Sequence, residues 1–379
     1  HGAIEHLSVA LGSFSCHLLD GVTGSGKTEV YMQVIARVLE KNRQALVLVP
    51  EIGLTPQSVD RFRARFTCDI VVLHSGLTDN ERLAGWRKAA DGTAWIVIGT
   101  RSAIFTPLAR PGLLIIDEEH DSSFKQQDGF RYSARDLAIV RAREEETCIL
   151  LGSATPSLES LHNARSGRYS HLVLSERAGD AVRAPIQLLD VSVTGTADGL
   201  SPLLLDIIGH HLKSGNQVLV FINRRGFAPT LTCQDCGHVF ECSRCDTQLT
   251  VHRTPASLQC HHCEARQPLP RACLQCGSKR LATLGIGTEK TEQLLADRFA
   301  GTPVLLAKGH HFPQVTLVAV LDADSGLFSA DFRGQEHLLQ LLFQVAGRAG
   351  RESSPGQVVV QTRHASHEAF QAVVAGDYL

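Results

Sequence analysis

The stretch Gly21-Val22-Thr23-Gly24-Ser25-Gly26-Lys27-Thr28 constrains the fold of this chain more than any other feature, because it fits the G-x-x-x-x-G-K-[ST] phosphate-binding pattern at every fixed position. Such a loop works where a strand ends and a helix begins. Glycines let successive backbone N–H groups turn toward phosphate oxygens, and the helix N-terminus adds its dipole. The flanks agree: Cys16-His17-Leu18-Leu19 is an apolar lead-in, and Glu29 to Leu39 carries apolar residues at helical spacing. In this pattern Lys27 brings a charge to the β/γ-phosphates and the Thr28 hydroxyl is placed to ligate Mg²⁺, so the residues from Gly21 to Thr28 are expected to hold ATP.

From the loop to about residue 175, strand-like runs alternate with helical stretches: Gln44 to Val49, Ile70 to Leu73, Trp95 to Gly99, Leu113 to Ile116 and Cys148 to Leu151. Continuous apolar strands separated by helices imply a parallel sheet covered on both faces. A second series begins near Ile186 to Leu189, with a helix from Pro202 to Leu212 and a strand from Gln217 to Ile222. It resumes with a helix from Thr288 to Phe299, a strand from Val315 to Leu321, a helix from Gln335 to Phe343 and a strand from Gln357 to Val360. The reading is α/β: two doubly wound parallel-sheet domains of the nucleotide-binding type, the second interrupted by a cysteine-rich insertion. Expected bounds are 1–176 for the first domain, 177–230 and 281–379 for the parts of the second, and 231–280 for the insertion. One stretch does not fit. Between Phe299 and Val315 only Gly301 to Leu306 can form a strand, whereas a parallel crossover needs about a dozen residues, so a segment is expected to be missing near 300–306.

At 379 residues and 43% hydrophobic the chain can bury two or three cores, and a net charge of -2 means that any nucleic-acid contact must be local. No apolar run approaches the roughly twenty residues of a membrane span, and the start lacks a leader pattern; a cytoplasmic protein with no membrane partner is expected. Of eleven cysteines, eight fall into Cys-x-x-Cys pairs, which in a nucleotide-binding chain points to metal thiolates rather than disulfides. Cys16, Cys68 and Cys148 read as buried thiols.

The pairs are Cys233/Cys236, Cys242/Cys245, Cys260/Cys263 and Cys273/Cys276. Four thiolates close one tetrahedral structural site, so eight imply two Zn²⁺. Gln248 to His252 and Ser257 to Gln259 read as two strands around Thr254-Pro255, a hairpin that would join Cys242 and Cys245 to Cys260 and Cys263. Cys233, Cys236, Cys273 and Cys276 would then form the outer site. With the thiolates complete, His238, His252, His261 and His262 are not needed as ligands.

Leu113 to Ile116 delivers Asp117-Glu118-Glu119-His120 at the carboxyl end of a buried strand, where α/β sheets bind ligands. Asp117 is the expected Mg²⁺ residue and Glu118 the water activator, with Glu119 projecting elsewhere. Ser153 and Thr155 end another buried strand and suit sensing of a γ-phosphate. In Gln344-Val345-Ala346-Gly347-Arg348-Ala349-Gly350-Arg351, two arginines three apart could stabilise phosphoryl transfer from a second domain. Phe124-Lys125-Gln126-Gln127-Asp128-Gly129-Phe130-Arg131-Tyr132 mixes aromatic and basic groups, as a single-strand contact requires.

These motifs together resemble those of superfamily 2 helicases: the loop from Gly21, the Asp117 to His120 strand end, Ser153-Ala154-Thr155 and the Gln344 to Arg351 segment look like motifs I, II, III and VI. Val49 to Gln57 and Gly99 to Ala103 resemble motifs Ia and Ib, which contact a single strand, and this brings in Arg101 and Ser102. Asp117 to Gln127, Asn223-Arg224-Arg225-Gly226-Phe227-Ala228-Pro229, the paired cysteines and Leu306-Ala307-Lys308-Gly309-His310-His311-Phe312-Pro313 narrow the resemblance to the bacterial replication-restart helicases. The resemblance implies two RecA-like domains and an ATP-dependent DNA helicase moving 3′ to 5′. It implies coupling roles for His120, Ser153, Thr155 and Gln344, catalytic roles for Arg348 and Arg351, and DNA contacts at Phe124, Lys125, Phe130, Arg131, Tyr132 and Lys308. It also implies forked DNA, primosome proteins and single-strand-binding protein as partners, and the absence here of the family's amino-terminal DNA-binding region and of a carboxyl-terminal domain. Two rivals remain open: a nucleotide-switched zinc scaffold that recruits primosome proteins, and an RNA-directed superfamily 2 ATPase.

Overall fold

The computed structural model describes residues 2–51, 53–127, 129–177, 184–192, 195–196, 199–222, 230–245, 248–253, 256–260, 263–283, 288–299, 304–306, 315–329, 331–347, 356–376 and 378. Two compact units, residues 1–180 and 181–379, share the chain. Lys308, Arg348, Arg351, His261, His262 and the 223–229 segment lie outside the described residues.

The first unit carries strands β1 (Ser15–Gly21), β2 (Gln44–Leu48), β3 (Ile70–Leu73), β4 (Ile96–Gly99), β5 (Pro111–Asp117), β6 (Lys125–Gln126), β7 (Tyr132–Ser133), β8 (Cys148–Ser153) and β9 (Ser170–Leu174). Its helices are α1 (Gly2–Ala10), α2 (Lys27–Glu40), α3 (Pro56–Arg65), α4 (Asp79–Ala90), α5 (Ala134–Glu144) and α6 (Leu158–Arg165). Seven strands form one parallel sheet in the order β3-β4-β2-β5-β8-β1-β9, while β6 and β7 make a small antiparallel hairpin. Alternate residues of a strand face opposite sides, and here both sides are buried. Ala45, Val47, Ile96, Ile98, Leu113, Ile115, Cys148 and Leu150 pack in one core with Val30, Tyr31, Val34, Ile35 and Val38 of α2. Their neighbours Leu46, Val97, Leu114, Ile116, Ile149 and Leu151 are equally buried on the other side, where Ala134, Ala138 and Ala142 of α5 are also buried. That is why these strands read as unbroken apolar runs.

The second unit repeats the arrangement. It contains β10 (Ile186–Asp190), β11 (Gln217–Ile222), β12 (Leu231–Cys233), β13 (Thr250–Arg253), β14 (Ala256–Gln259), β15 (Arg266–Pro268), β16 (Leu281–Thr283), β17 (Val304–Leu306), β18 (Val315–Leu321) and β19 (Gln357–Thr362). Its helices are α7 (Pro202–Lys213), α8 (Thr288–Arg298), α9 (Ala323–Leu327), α10 (Gly334–Ala346) and α11 (Glu368–Ala375). The five-stranded parallel sheet runs β10-β19-β18-β11-β17. Val218, Val220, Leu317, Ala319 and Val359 pack on α7 through Leu204, Ile208 and Leu212. Leu219, Val318, Val320, Val358 and Val360 face the opposite core, with Leu338 and Leu342 of α10 and Phe370 of α11. The short stretch before Leu306 supplies β17, which pairs parallel to β11 over Val304 to Leu306. The connection from there to β18 lies outside the described residues.

Residues 230–283 leave this sheet as a separate small module: β12 pairs antiparallel with β16, and β13, β14 and β15 form a three-stranded antiparallel sheet. The hairpin expected around Thr254-Pro255 is therefore present as β13 and β14. Leu231, Phe240, Leu249 and Leu258 give the module a core of its own, small enough for metal binding to matter to its folding.

Candidate nucleotide site and metal centre

Three strand ends meet at the carboxyl edge of the first sheet. Strand β8 lies between β5 and β1, with Gly152 opposite Asp117 on one side and Leu19 on the other, and Ser153 opposite Asp20. The phosphate-loop residues follow β1 directly. Gly24 and Gly26 adopt φ of 84° and 86°, in the left-handed region that glycine enters without strain. Gly21 is required for space, since a Cβ there would lie 2.6 Å from Ser25 Oγ.

The loop carries the marks of an anion site. Ser25 Oγ is buried with no hydrogen-bond partner among the described residues, a donor that a phosphate oxygen would satisfy. Lys27, the first residue of α2, is buried, and its Nζ donates to the Gly21 carbonyl at 2.6 Å, parked on the loop that it would otherwise serve. Thr28 follows, half-buried.

Asp117 ends β5. Burial first, then the neighbouring Glu118 charge, raise its carboxyl to about 6, while Lys27 pulls the other way. A divalent cation held here would favour the ionised carboxylate and offset this upward shift. Tyr31, one turn into α2, donates its hydroxyl to Asp117 Oδ1 at 2.9 Å and so orients the carboxylate. It reaches there over Gly152, where a Cβ would come within 1.7 Å of the Tyr31 hydroxyl. Sequence reasoning missed Tyr31, because a ring on the apolar face of a helix reads as core; its spacing of four residues from Lys27 was the available signal.

Glu118 has φ of 50°, a left-handed conformation uncommon outside glycine, and strain of this kind concentrates at functional sites. The kink separates the three acids. Glu118 stays at the strand end, 3.6 Å from His120 Nδ1, which also meets Ser153 Oγ at 2.7 Å. Ser153 Oγ in turn accepts from the Thr155 N–H at 2.9 Å. Glu119 points away into the interior: it pairs with Arg135 at 3.1 Å and accepts from Ser157 N and from the Ser157 and Ser160 hydroxyls. It anchors the start of α6, in line with the expectation that it projects elsewhere. Gln344 lies near the end of α10 in the second unit.

The segment after His120 turns through a 3₁₀ turn capped by Asp121 into the β6–β7 hairpin. The aromatic residues of this loop divide. Phe130 is 76% exposed, whereas Phe124 is 3% exposed and anchors the loop rather than offering a ring to a base. Tyr132 contacts both Phe130, with ring centroids 5.9 Å apart, and Phe105 at 5.0 Å. Lys125 and Arg131 are exposed beside them. Arg101 is held by this loop, its Nη1 donating to the Ser123 and Lys125 carbonyls at 2.9 and 3.2 Å, and Ser102 is exposed. Phe105 was not singled out from sequence, although it closes the same 3₁₀ turn that Arg101 opens.

In the second unit the cysteines gather into two groups, Cys233, Cys236, Cys273 and Cys276, and Cys242, Cys245, Cys260 and Cys263, the Sγ atoms of each lying within 4.8 Å of one another. The Sγ separations are 3.6 Å for Cys233–Cys276 and Cys236–Cys273, and 3.5 Å for Cys242–Cys263 and Cys245–Cys260. A tetrahedron with metal–sulfur bonds of about 2.3 Å has edges of about 3.8 Å, so both groups fit one Zn²⁺ each without an open position. The electrostatics agree. The Arg244 backbone N–H holds Cys242 down to about 7, whereas at Cys263 an N–H from Ala265 is outweighed by burial and then by the neighbouring thiols, which push it up to about 12. Four thiolates repel one another until a cation joins them. His238 stacks edge-on to Phe240 at 4.9 Å and belongs to the module's packing. Metal analysis of the purified chain is expected to return two zinc ions, falling to one in Cys263→Ser and in Cys276→Ser; a single zinc in the parent would contradict the two-cluster geometry.

Comparison with known proteins follows the same division. Residues 5–164 match the DEAD/DEAH box helicase family, and residues 242–268 match the PriA DNA helicase Cys-rich region (CRR) domain. The chain is 49% identical to the replication restart protein PriA of Haemophilus influenzae and 41% identical to that of Bacillus subtilis. It is covered to 96% and 95%, and covers 54% and 49% of those proteins. The chain thus spans about half the length of the curated relatives it matches. The 398 aligned positions with the first exceed its 379 residues, so that relative carries residues without a counterpart here. Among solved structures, RecG bound to a three-way DNA junction has a TM-score of 0.55 at 17% identity, over 98% of this chain and 43% of that one. The DUF1998 helicase MrfA bound to DNA has a TM-score of 0.55 at 13% identity, over 99% and 49%. These two share the fold. The sequence relatives, the two family matches and the paired cysteines carry the assignment: the chain belongs to the PriA family of replication restart helicases.

Proposed function

We propose that this chain is the ATP-driven motor core of a replication-restart helicase, translocating 3′ to 5′ along single-stranded DNA in the cytoplasm and exposing single strand at abandoned forks for loading of the replicative helicase. Primosome proteins and single-strand-binding protein would be its partners, and two Zn²⁺ would hold the cysteine-rich module.

The observation that carries the reading is continuity. A phosphate loop with an unpartnered buried hydroxyl, a kinked acidic strand end, a His120–Ser153 link and an exposed aromatic–basic loop follow one another along the same sheet edge. Lys27 would leave the Gly21 carbonyl for the β/γ-phosphates. Thr28 and Asp117 would hold Mg²⁺, which when bound neutralises charge that develops on the phosphoryl oxygens. Glu118 would take a proton from the attacking water as the bond from the γ-phosphorus to the ADP oxygen breaks, and ADP and phosphate would leave. His120 touches both Glu118 and Ser153, so it would relay the state of the nucleotide site into the turn that starts at Asp121 and continues as the DNA loop. Arg348 and Arg351 would add transition-state charge from the second domain. Lys308 would contact the strand, with Arg101 positioning the loop and Lys125, Phe130, Arg131 and Tyr132 touching bases and phosphates.

Direction is tested with duplexes bearing a single-stranded tail of one polarity. ATP-dependent displacement is expected when the tail has the polarity for 3′ to 5′ travel and not on the opposite one; preference for the opposite tail would contradict the proposed polarity.

A further inference from the structure

The two cysteine clusters differ in how they meet the rest of the second unit. The inner cluster of Cys242, Cys245, Cys260 and Cys263 sits in a core made of module residues, Leu231, Phe240, Leu249 and Leu258. The outer cluster is fastened to the motor sheet. Its first knuckle, Cys233 to Cys236, presents the Gln234 carbonyl, which accepts a hydrogen bond from Arg363 Nη1 at 3.0 Å. Gly237, just past the knuckle, has φ of 75°, and a Cβ there would stand 3.2 Å from His364 Cε1.

Arg363 is itself fixed. It follows the last residue of β19, and its backbone N–H donates to Asp324 Oδ2 at 2.9 Å. Asp324, buried in α9, takes the Thr362 hydroxyl on its other oxygen, and Thr362 Oγ1 accepts from the His364 N–H at 3.0 Å. A second tie runs beside the first: the Thr230 hydroxyl donates to the Phe328 carbonyl at 3.2 Å, and the Phe328 ring stacks edge-on to His364 at 4.6 Å. The first tie ends within α9 at Asp324, and the second just past it at Phe328. A buried carboxylate with both oxygens satisfied is a rigid support, so the arginine is presented to the knuckle in one orientation.

We infer that Arg363 is a positioning residue for the outer metal site: it latches the Gln234 carbonyl to the Asp324–Thr362 end of the motor sheet, so that metal retention at the outer cluster, and not at the inner one, is linked to the packing of β19 and α9. Linkage is reciprocal, because whatever stabilises the metal-bound knuckle on the sheet also stabilises the sheet edge against the knuckle. The inference rests on the zinc reading of the two clusters, and the inner cluster serves as its internal control.

The test is zinc release from the full two-zinc chain into excess chelator, followed with a chromophoric zinc indicator. Cys276→Ser and Cys263→Ser, which each retain one cluster, assign the two kinetic phases. Arg363→Ala is expected to speed the outer phase about fivefold and leave the inner phase unchanged, while Arg363→Lys, which keeps a cationic donor, recovers part of the effect. Asp324→Asn is expected to act in the same direction, with far-ultraviolet circular dichroism to verify its fold; Arg363 is only half-buried, so its variants carry the test if Asp324→Asn unfolds. Parental release from both clusters in Arg363→Ala, or equal acceleration of both, would overturn the latch. Failure to find two zinc ions in the parent would instead overturn the underlying zinc reading.

Discussion

Lys27→Ala is expected to abolish ATP turnover, by at least about a hundredfold, while leaving the thermal midpoint near that of the parent. Among the described residues the Lys27 ammonium bonds one carbonyl, that of Gly21, so its removal does little to the fold. Its work is on a polyanion in a water-poor loop, where loss of one charge-stabilising donor costs about 10²–10³ in rate. Steady-state hydrolysis with and without single-stranded DNA, read beside a melting curve, checks this. Retained turnover in a folded Lys27→Ala protein would remove the phosphate loop from the mechanism.

Glu118→Gln should separate binding from chemistry. The amide keeps the shape of the side chain but cannot accept the water proton, and loss of a positioned general base costs about 10²–10⁴ in rate. ATP affinity, measured with a fluorescent nucleotide, is expected to stay close to the parent's, because Lys27, Ser25 and Asp117 are untouched. Equal hydrolysis by Glu118→Gln and the parent would sink the assignment. The adjacent Glu119→Gln offers a contrast. Removing one partner of its buried pair with Arg135 loosens the start of α6, so its effect should appear in thermal stability rather than specifically in hydrolysis.

The contrast between these adjacent glutamates shows where the sequence is legible and where it stops. Strands β2, β5 and β8 could be read from residue types alone, since a parallel strand buried on both faces leaves a continuous apolar run. Strand β9, at the sheet edge, alternates half-buried and exposed residues over Ser170 to Leu174 and left no such run. The phosphate loop and the four cysteine pairs were legible because their chemistry fixes spacing. What an acidic run cannot show is which carboxylate turns inward: that depends on the left-handed φ at Glu118, which no residue type in the run announces. Tyr31 was hidden for a related reason, as its partner Asp117 lies on another strand and Gly152 makes the room between them. The module's attachment through Arg363 joins positions far apart in the chain, so local pattern carried no trace of it.

A motor core of the kind proposed hydrolyses ATP in response to single-stranded DNA. The most direct measurement is the steady-state rate of ATP hydrolysis with no nucleic acid, with single-stranded DNA and with single-stranded RNA, for the parent and for Phe130→Ala. Phe130 is exposed and touches Tyr132, and stacking of a base on such a ring is worth about 1–3 kcal/mol. Strong stimulation of the parent by DNA and weaker stimulation by RNA are expected, with a Phe130→Ala protein whose basal rate is kept while its response to DNA falls about tenfold at subsaturating strand. Hydrolysis that is indifferent to DNA, or greater stimulation by RNA than by DNA, would contradict the proposed motor.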